Sequence, residues 1–203
     1  MEKKRLYCFD FDGTLTSHDT LLAFIAYVHG GLKLLLTLLR FSPQLLAMKL
    51  GLYPNWVVKQ RVFSHLFQGM SLEEFNRHCH DFAASDGHLL RPQARGFVHS
   101  LLSGGSRVIV ISASVENWVC PFFEELGDGK DITFLCTQVE TRDGLLTGRF
   151  LTANCYGPEK VNRLRAILSA PRERYFIIAY GDSRGDRELL SYADEGHYKP
   201  FRR

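Results

Sequence analysis

The chain has 203 residues, 45% of them hydrophobic, and its 25 basic and 22 acidic side chains give a formal net charge of +3. This length suits one domain, with or without an insertion, that buries about 70% of the surface of the unfolded chain. The slight charge argues against a nucleic-acid partner, and five scattered cysteines without a C-x-x-C pair argue against a disulfide framework or a zinc site. We expect a cytoplasmic protein with reduced thiols and no signal peptide.

The first predicted element is a buried strand, Leu6 to Phe9, which ends at two aspartates in the stretch CFDFDGTLT. A long segment without a predicted strand follows. Its apolar periodicity, broken by glycines and prolines, predicts five helices: Leu21 to Val28, Leu32 to Phe41, Pro43 to Leu50, Val57 to Phe67 and Leu72 to Ala84. We interpret residues 17–89 as a helical cap inserted after the first strand, on an α/β core formed by residues 1–16 and 90–203.

The remainder of the chain alternates strands with helices. Continuous apolar runs predict parallel strands, buried on both faces, at Val108 to Ile111 and Tyr175 to Tyr180. Between them lie a helical stretch, a strand and a hairpin turn: Glu116 to Leu126, Thr133 to Val139 and Asp143-Gly144. This order is typical of a doubly wound, mostly parallel, Rossmann-like α/β sheet, here with an inserted all-helical cap that should cover the carboxyl edge of the sheet as a lid.

Side chains suited to catalysis follow three of the predicted strands. Asp10 and Asp12 follow the first, Ser112 closes the second, and Asp182 and Asp186 follow the last. Parallel strands bring their carboxyl ends to one edge, so these side chains should meet there. Carboxylates crowded together repel one another unless a cation lies among them, and an all-oxygen ligand set favours Mg²⁺ over zinc. The sequence therefore predicts a magnesium site with Asp10 and Asp182 as ligands.

Four motifs stand in a recognisable order: DFDGT, the Ser112 that closes VIVIS, Lys160 at the start of a predicted helix, and GDSRGD. In order and approximate spacing the chain resembles the haloacid dehalogenase-like superfamily over nearly its whole length. The resemblance implies that Asp10 is a nucleophile forming an aspartyl-phosphate, and that Asp12 is the general acid and base, with its carbonyl as a further Mg²⁺ contact. Because it has an acid two residues after the nucleophile, the chain is similar to the phosphatases and phosphomutases rather than to the dehalogenases.

The same resemblance implies roles for the other polar residues. Ser112 and the amide of Ala113 would hold a phosphoryl oxygen, and Lys160, in the first turn of its helix, would contact the same anion. Asp182 would ligate the metal. Asp186 would orient a metal-bound water or Lys160.

Within the superfamily, the helical cap is similar to that of the phosphoserine phosphatase-like group, subfamily IB. Asp19 stands nine residues after the nucleophile, where phosphoserine phosphatase has a glutamate for the substrate amine. Arg61 resembles its cap arginine for the substrate carboxylate. The shorter acid at Asp19, and Gly185 in place of an asparagine of the usual last motif, depart from the phosphoserine pattern but leave phosphatase chemistry intact.

The favoured function is Mg²⁺-dependent hydrolysis of a small phosphomonoester chosen by the cap. A phosphotransferase and a non-catalytic protein that binds a phosphorylated ligand are alternatives. A third alternative is a lipid-phosphate phosphatase of the phosphatidylglycerophosphate type, peripheral at a membrane, because residues 20–54 are unusually apolar. Gly30-Gly31 and Lys33 interrupt that segment and argue against a membrane span. Oligomeric state stays open, and the basic ending KPFRR, residues 199–203, is expected to be a solvated tail.

Overall fold

The computed structural model of the protein describes residues 3–126 and 132–202, so Arg203 of the predicted tail lies outside the described residues. Within these ranges the chain forms seven strands: β1 Lys4–Phe9, β2 Arg107–Val115, β3 Ile132–Thr137, β4 Val139–Arg142, β5 Leu145–Phe150, β6 Tyr175–Gly181 and β7 Glu195–Tyr198. Five of them form a parallel sheet in the order β3-β2-β1-β6-β7, and β4 and β5 form an antiparallel hairpin. The predicted α/β class is confirmed.

The sheet buries both of its faces, as continuous apolar strands require. Alternate residues of the central strands enter two separate cores: Cys8 and Ile177 pack in one, and Phe9 and Ile178 pack in the other. Phe9 pairs with Val110 of β2 and with Tyr180 of β6. This register aligns the carboxyl ends of the three strands that carry the predicted site.

The helices that flank and cap the sheet are α1 Thr20–Arg40, α2 Ser42–Lys49, α3 Asn55–Phe67, α4 Leu72–Ser85, α5 Pro92–Ser103, α6 Glu116–Val119, α7 Pro158–Ala166 and α8 Arg187–Tyr192. Two predicted helices, at 21–28 and 32–41, are one element here, α1, kinked at Gly30 (φ 81°, ψ 157°). The predicted helix at 116–126 is α6 followed by a 3₁₀ turn over Cys120–Leu126. Between β1 and β2 the chain forms helices and isolated bridge residues but no strand, as predicted for an all-helical insertion.

Aromatic packing joins the capping helices to the core. The ring of Phe24 in α1 lies 5.5 Å from Phe67 of α3, 5.4 Å from Phe82 of α4 and 5.2 Å from Trp118 of α6. Four buried rings around one centre leave α1 little freedom at its N-terminal half. This half of α1 is therefore held directly above the carboxyl edge of the sheet.

The hairpin packs with the capping helices rather than with the sheet. Asp143 and Gly144 form its turn with positive φ values of 52° and 77°, as the Asp-Gly dipeptide predicted. Phe150 of β5 lies 5.2 Å from Phe63 of α3, and Leu146 exchanges backbone hydrogen bonds with the turn after α3. The predicted division at residue 90 assigned this hairpin to the core.

The prediction of a solvated C-terminal tail is wrong for the residues described. The unpredicted strand β7 adds to the edge of the sheet, and the chain then turns back towards it. The ring of Phe201 lies 5.8 Å from Phe97 and 5.9 Å from Tyr180. These apolar contacts hold the segment against the core, which sequence periodicity over so few residues does not reveal.

Candidate active site

The loop after β1 places Asp10 at the bottom of a cavity. Its side chain is almost fully buried, and its Oδ2 accepts a hydrogen bond from Thr14 Oγ1 at 3.1 Å. Gly13 lies in the left-handed region (φ 74°), and a Cβ there would stand 2.6 Å from Asp182 Oδ2. The glycine of the DFDGT stretch thus allows the β1 and β6 loops to approach each other closely.

Lys160 lies between two carboxylates. Its Nζ donates to Asp10 Oδ1 at 2.5 Å and to Asp186 Oδ1 at 2.6 Å, and its side chain is 2% exposed. Burial by itself lowers the pKa of Lys160, but the two adjacent carboxylates outweigh it and raise the pKa above its ordinary value. Lys160 is therefore a permanent ammonium in the first turn of α7, as the sequence predicts.

Asp186 is held by hydrogen bonds on both oxygens. Its Oδ2 accepts from the backbone N–H groups of Asp182 at 3.1 Å and Ser183 at 2.9 Å, and from Ser183 Oγ at 2.8 Å. Burial would raise the pKa of Asp186, but Lys160 and these donors lower it below its ordinary value. Asp186 is thus an ionised group in direct contact with the Lys160 ammonium.

Oxygens of Asp10, Asp182 and Asp186 come within 4.8 Å of one another and could together hold a cation. Burial raises the pKa of Asp10 to about 7 although Lys160 opposes the shift, and burial with the Asp186 charge raises the pKa of Asp182. A divalent cation would favour the ionised form of both carboxylates. An all-oxygen set that is destabilised without a cation fits Mg²⁺ well.

The β2–β3 pairing shifts register between Ser112 and Val115, and this irregular part of β2 lines the cavity. Ser112 is buried, and its Oγ accepts a hydrogen bond from the backbone N–H of Ser114 at 3.0 Å. Ala113 lines the cavity beside it. The structure therefore brings Ser112 and Ala113, two of the three residues predicted to bind phosphate, to the same edge as Asp10.

Asp12 is hydrogen-bonded to the first turn of the cap. Its Oδ1 accepts from the backbone N–H of Thr20 at 2.8 Å and from Thr20 Oγ1 at 2.6 Å, and its Oδ2 accepts from Ser114 Oγ. Thr20 Oγ1 in turn accepts from Trp118 Nε1 at 3.2 Å. No motif predicted these contacts of Thr20, Ser114 and Trp118, because no spacing rule links a cap hydroxyl to the loop after β1.

The cavity above these side chains has a volume of about 710 Å³. Asp19 lines it and caps α1, accepting a hydrogen bond from the Leu21 N–H at 2.9 Å. Arg61 is not among the described residues that line the cavity: it is exposed on α3 and its guanidinium lies 5.4 Å from the centre of the Tyr53 ring. The cation that α3 places in the cavity is Lys59, whose Nζ donates to the Ala113 carbonyl.

The C-terminal segment also reaches the site. Arg202 Nη2 donates to Asp182 Oδ2 at 2.5 Å and to the Gly13 carbonyl at 3.4 Å, and Arg202 lines the cavity. A fixed positive charge therefore lies beside the carboxylate predicted to ligate the metal. The composition of KPFRR gave no signal for this contact, because Phe201 positions Arg202 only once β6 and α5 are in place.

Three comparisons agree with this architecture. A family model described as haloacid dehalogenase-like hydrolase matches residues 8–191. Protein CicA of Caulobacter vibrioides is 32% identical over 198 residues, which cover 97% of this chain and 86% of CicA. A solved protein with unknown function from Bordetella pertussis Tohama I superposes with a TM-score of 0.78 at 22% identity, covering 93% of this chain and 86% of that one.

A substrate-bound phosphoserine phosphatase complex has the same fold, with a TM-score of 0.60 at 20% identity, covering 95% of this chain and 84% of that one. The match of the family model covers nearly the whole chain, from the end of β1 into α8, and includes Lys160 and the aspartates that follow β1 and β6. The protein is a member of the haloacid dehalogenase-like hydrolase family, with the fold of its phosphoserine phosphatase-like group.

Proposed function

We propose that the protein is a Mg²⁺-dependent phosphatase that hydrolyses a phosphomonoester through an aspartyl-phosphate on Asp10. The observation that carries the proposal is the buried ion cluster, in which Lys160 contacts Asp10 and Asp186 while Asp182 lies within reach of the same point. A carboxylate becomes an effective nucleophile towards phosphorus when fixed positive charges neutralise the phosphoryl oxygens. Lys160 supplies one such charge.

Two displacements at phosphorus account for the reaction. An Asp10 oxygen forms a bond to phosphorus while the bond to the ester oxygen breaks, and Asp12 gives a proton to the departing alkoxide. Water then attacks the same phosphorus and loses a proton to Asp12, which releases inorganic phosphate and restores the Asp10 carboxylate. The contacts of Asp12 with Thr20 and Ser114 orient its carboxyl group for both proton transfers.

The remaining residues bind the phosphoryl group. Ser112, the Ala113 amide and Lys160 hold its oxygens from the sheet edge, and Asp186 keeps the Lys160 ammonium in place. Asp10, the Asp12 carbonyl and Asp182 would hold Mg²⁺, which would supply further positive charge against the phosphoryl oxygens. The cap closes over this edge and chooses the substrate.

The first prediction concerns the nucleophile. We expect Asp10→Asn to abolish hydrolysis of p-nitrophenyl phosphate in Mg²⁺, because the amide oxygen cannot form the phosphoenzyme. Circular dichroism and thermal unfolding should show an intact fold. Exposed Asp81→Asn, on α4, is the matched control and should keep the parental rate.

An Asp10→Asn variant that retains the parental rate of hydrolysis would contradict the proposal. Product analysis with added alcohols distinguishes hydrolysis from transfer, because a phosphotransferase passes the phosphoryl group to the alcohol. A parent protein that binds Mg²⁺ but turns over no ester in a broad phosphate panel would favour a binding role instead.

A further inference from the structure

The second half of α1 and all of α2 form an apolar arm, residues 31–52, on the outside of the cap. Its large side chains face solvent to an unusual degree, with exposed fractions between 52% and 76% for Leu32, Leu35, Leu36, Leu39, Leu46, Leu50 and Leu52. α2 has no buried residue. Contiguous exposed leucines of this kind mark an interaction surface rather than a scattered surface composition.

The arm is suited to lying on a membrane, not to crossing one. By length and composition α1 could span a bilayer, and only 17% of its apolar window is buried. The kink at Gly30 divides α1 into two parts, each about half of the roughly 20 residues that a spanning helix needs. A short apolar helix with basic flanks packs in the interface between headgroups and acyl chains.

The charge of this region selects the kind of membrane. From Thr20 to Leu72 the sequence contains no aspartate or glutamate. The arm itself carries the exposed cations Lys33, Arg40 and Lys49. An apolar surface bordered by cations and free of carboxylates is complementary to an anionic bilayer, which attracts each nearby basic residue by about 1 kcal/mol.

The inner side of the same arm faces the active site. Leu38, Leu45 and Met48 line the cavity whose floor is Asp10, and Leu21 and Val58 continue that apolar wall. A phosphate held at Asp10 would therefore place the rest of its ester against leucine side chains. Such a wall stabilises an alkyl or acyl group by apolar contact and forms no hydrogen bonds with a polar one.

We propose that the arm inserts into the surface of an anionic membrane and that the cavity receives from it a phosphomonoester carrying an apolar chain. The juxtaposition of exposed leucines and cations outside with cavity-lining leucines inside, on one pair of helices, carries this inference. The inferred substrate class rests on the proposed phosphatase activity, whereas the inferred membrane docking does not.

Vesicle flotation tests the docking. The parent should float with phosphatidylcholine vesicles that contain phosphatidylglycerol, and less so without it or at high salt. Leu35→Gln/Leu39→Gln/Leu46→Gln should bind about tenfold more weakly or worse, because three inserted side chains are lost. The matched control is Leu145→Gln/Leu151→Gln, which alters exposed leucines of the hairpin region and should bind like the parent.

Tryptophan fluorescence gives a second readout of docking. Trp56, beside the arm, is 49% exposed, whereas Trp118 is fully buried. A blue shift on adding anionic vesicles therefore reports Trp56 entering a less polar environment. A parent that neither floats with the vesicles nor shows a fluorescence shift would overturn the docking. A parent dimer that the triple leucine substitution converts to a monomer would also overturn it, because the arm would then bind a second copy of the chain.

Alkyl phosphates of increasing chain length test the substrate half. We expect kcat/KM to rise by up to about fourfold for each added methylene that the cavity buries, and Leu38→Gln to flatten this rise. A flat dependence on chain length would overturn the substrate class. Hydrolysis of p-nitrophenyl phosphate by the parent, measured in parallel, reports the proposed chemistry separately, since docking without any hydrolysis would refute the phosphatase and not the membrane contact.

Discussion

At the scale of single residues, two lysines at the site, the buried Lys160 and the half-buried Lys59, have different roles. Lys160 belongs to the core and is neutralised by Asp10 and Asp186. Lys59 belongs to the cap, donates to the Ala113 carbonyl and faces Asp12 and Asp19 across the cavity. Burial lowers the pKa of Lys59, and those carboxylates oppose the shift. Lys59 thus links the cap to the loop that is predicted to bind phosphate.

Substitution of the cap lysine tests this link. We expect Lys59→Met to raise KM and lower kcat/KM by about tenfold, because one charge-assisted hydrogen bond to the phosphate loop is lost. Arg61→Met is the matched control: it removes a cation from the exposed face of the same helix and should leave both constants near those of the parent. Steady-state kinetics with p-nitrophenyl phosphate measure both effects. Equal effects of the two substitutions would contradict a specific role for Lys59 at the phosphate loop.

At the scale of elements, close backbone packing decides how the hairpin joins the cap. Gly148 in β5 has a positive φ of 82°, and a Cβ there would stand 2.6 Å from Ser64 Oγ of α3. Only glycine tolerates both the conformation and the approach. The hairpin can therefore support α3, which carries Lys59 and Val58 to the cavity.

Alanine at this glycine should separate the two elements. We expect Gly148→Ala to destabilise the protein by about 2 kcal/mol or more, from left-handed strain and overpacking together. Gly96→Ala, in the exposed middle of α5 with no atom near the added Cβ, should instead stabilise by about 0.5–1 kcal/mol. Urea unfolding measures both, and opposite signs are the expected result. A neutral Gly148→Ala would show that the hairpin does not hold α3.

At the scale of the whole molecule, the buried carboxylates tie global stability to pH and to metal. Burial raises the pKa of Asp10 from 3.8 to about 7, so the native state binds this proton more tightly than the unfolded chain does. Without metal, the contribution of Asp10 to the free energy of unfolding is therefore favourable at low pH and declines as the pH rises between those values. We expect Mg²⁺ to act in the opposite sense, because a bound cation would favour the ionised carboxylates of the native state.

Two measurements follow from this linkage. In EDTA, Asp10→Asn should gain stability relative to the parent as the pH rises towards about 7, because only the parent must ionise a buried carboxyl group. With Mg²⁺ near neutral pH, the melting temperature of the parent should rise, and that of Asp182→Asn should not. If the difference in free energy of unfolding between the parent and Asp10→Asn stays constant across this pH range, the raised pKa of Asp10 is contradicted.

Local patterns in the sequence predicted the alternation of strands and helices and most of the polar cluster at the sheet edge. Short apolar strands that end in acidic residues specify a parallel sheet with its polar residues at one edge, because strand period and strand ends are local properties. That rule was sufficient to predict the convergence of Asp10, Ser112 and Asp182. The boundaries of the cap helices were predicted to within two residues, apart from the joining of two helices across Gly30, whereas the helix predicted at 116–126 ends at Val119 and α5 was not predicted.

The side chains that complete the site are brought there by tertiary packing. Lys59 rather than Arg61 enters the cavity because the packing of α3 against the hairpin sets the rotation of that helix. Arg202 reaches Asp182 because Phe201 packs on the core. Such contacts join residues distant in the chain through side-chain packing, and no local pattern encodes them, whereas the motifs at strand ends follow from backbone periodicity alone.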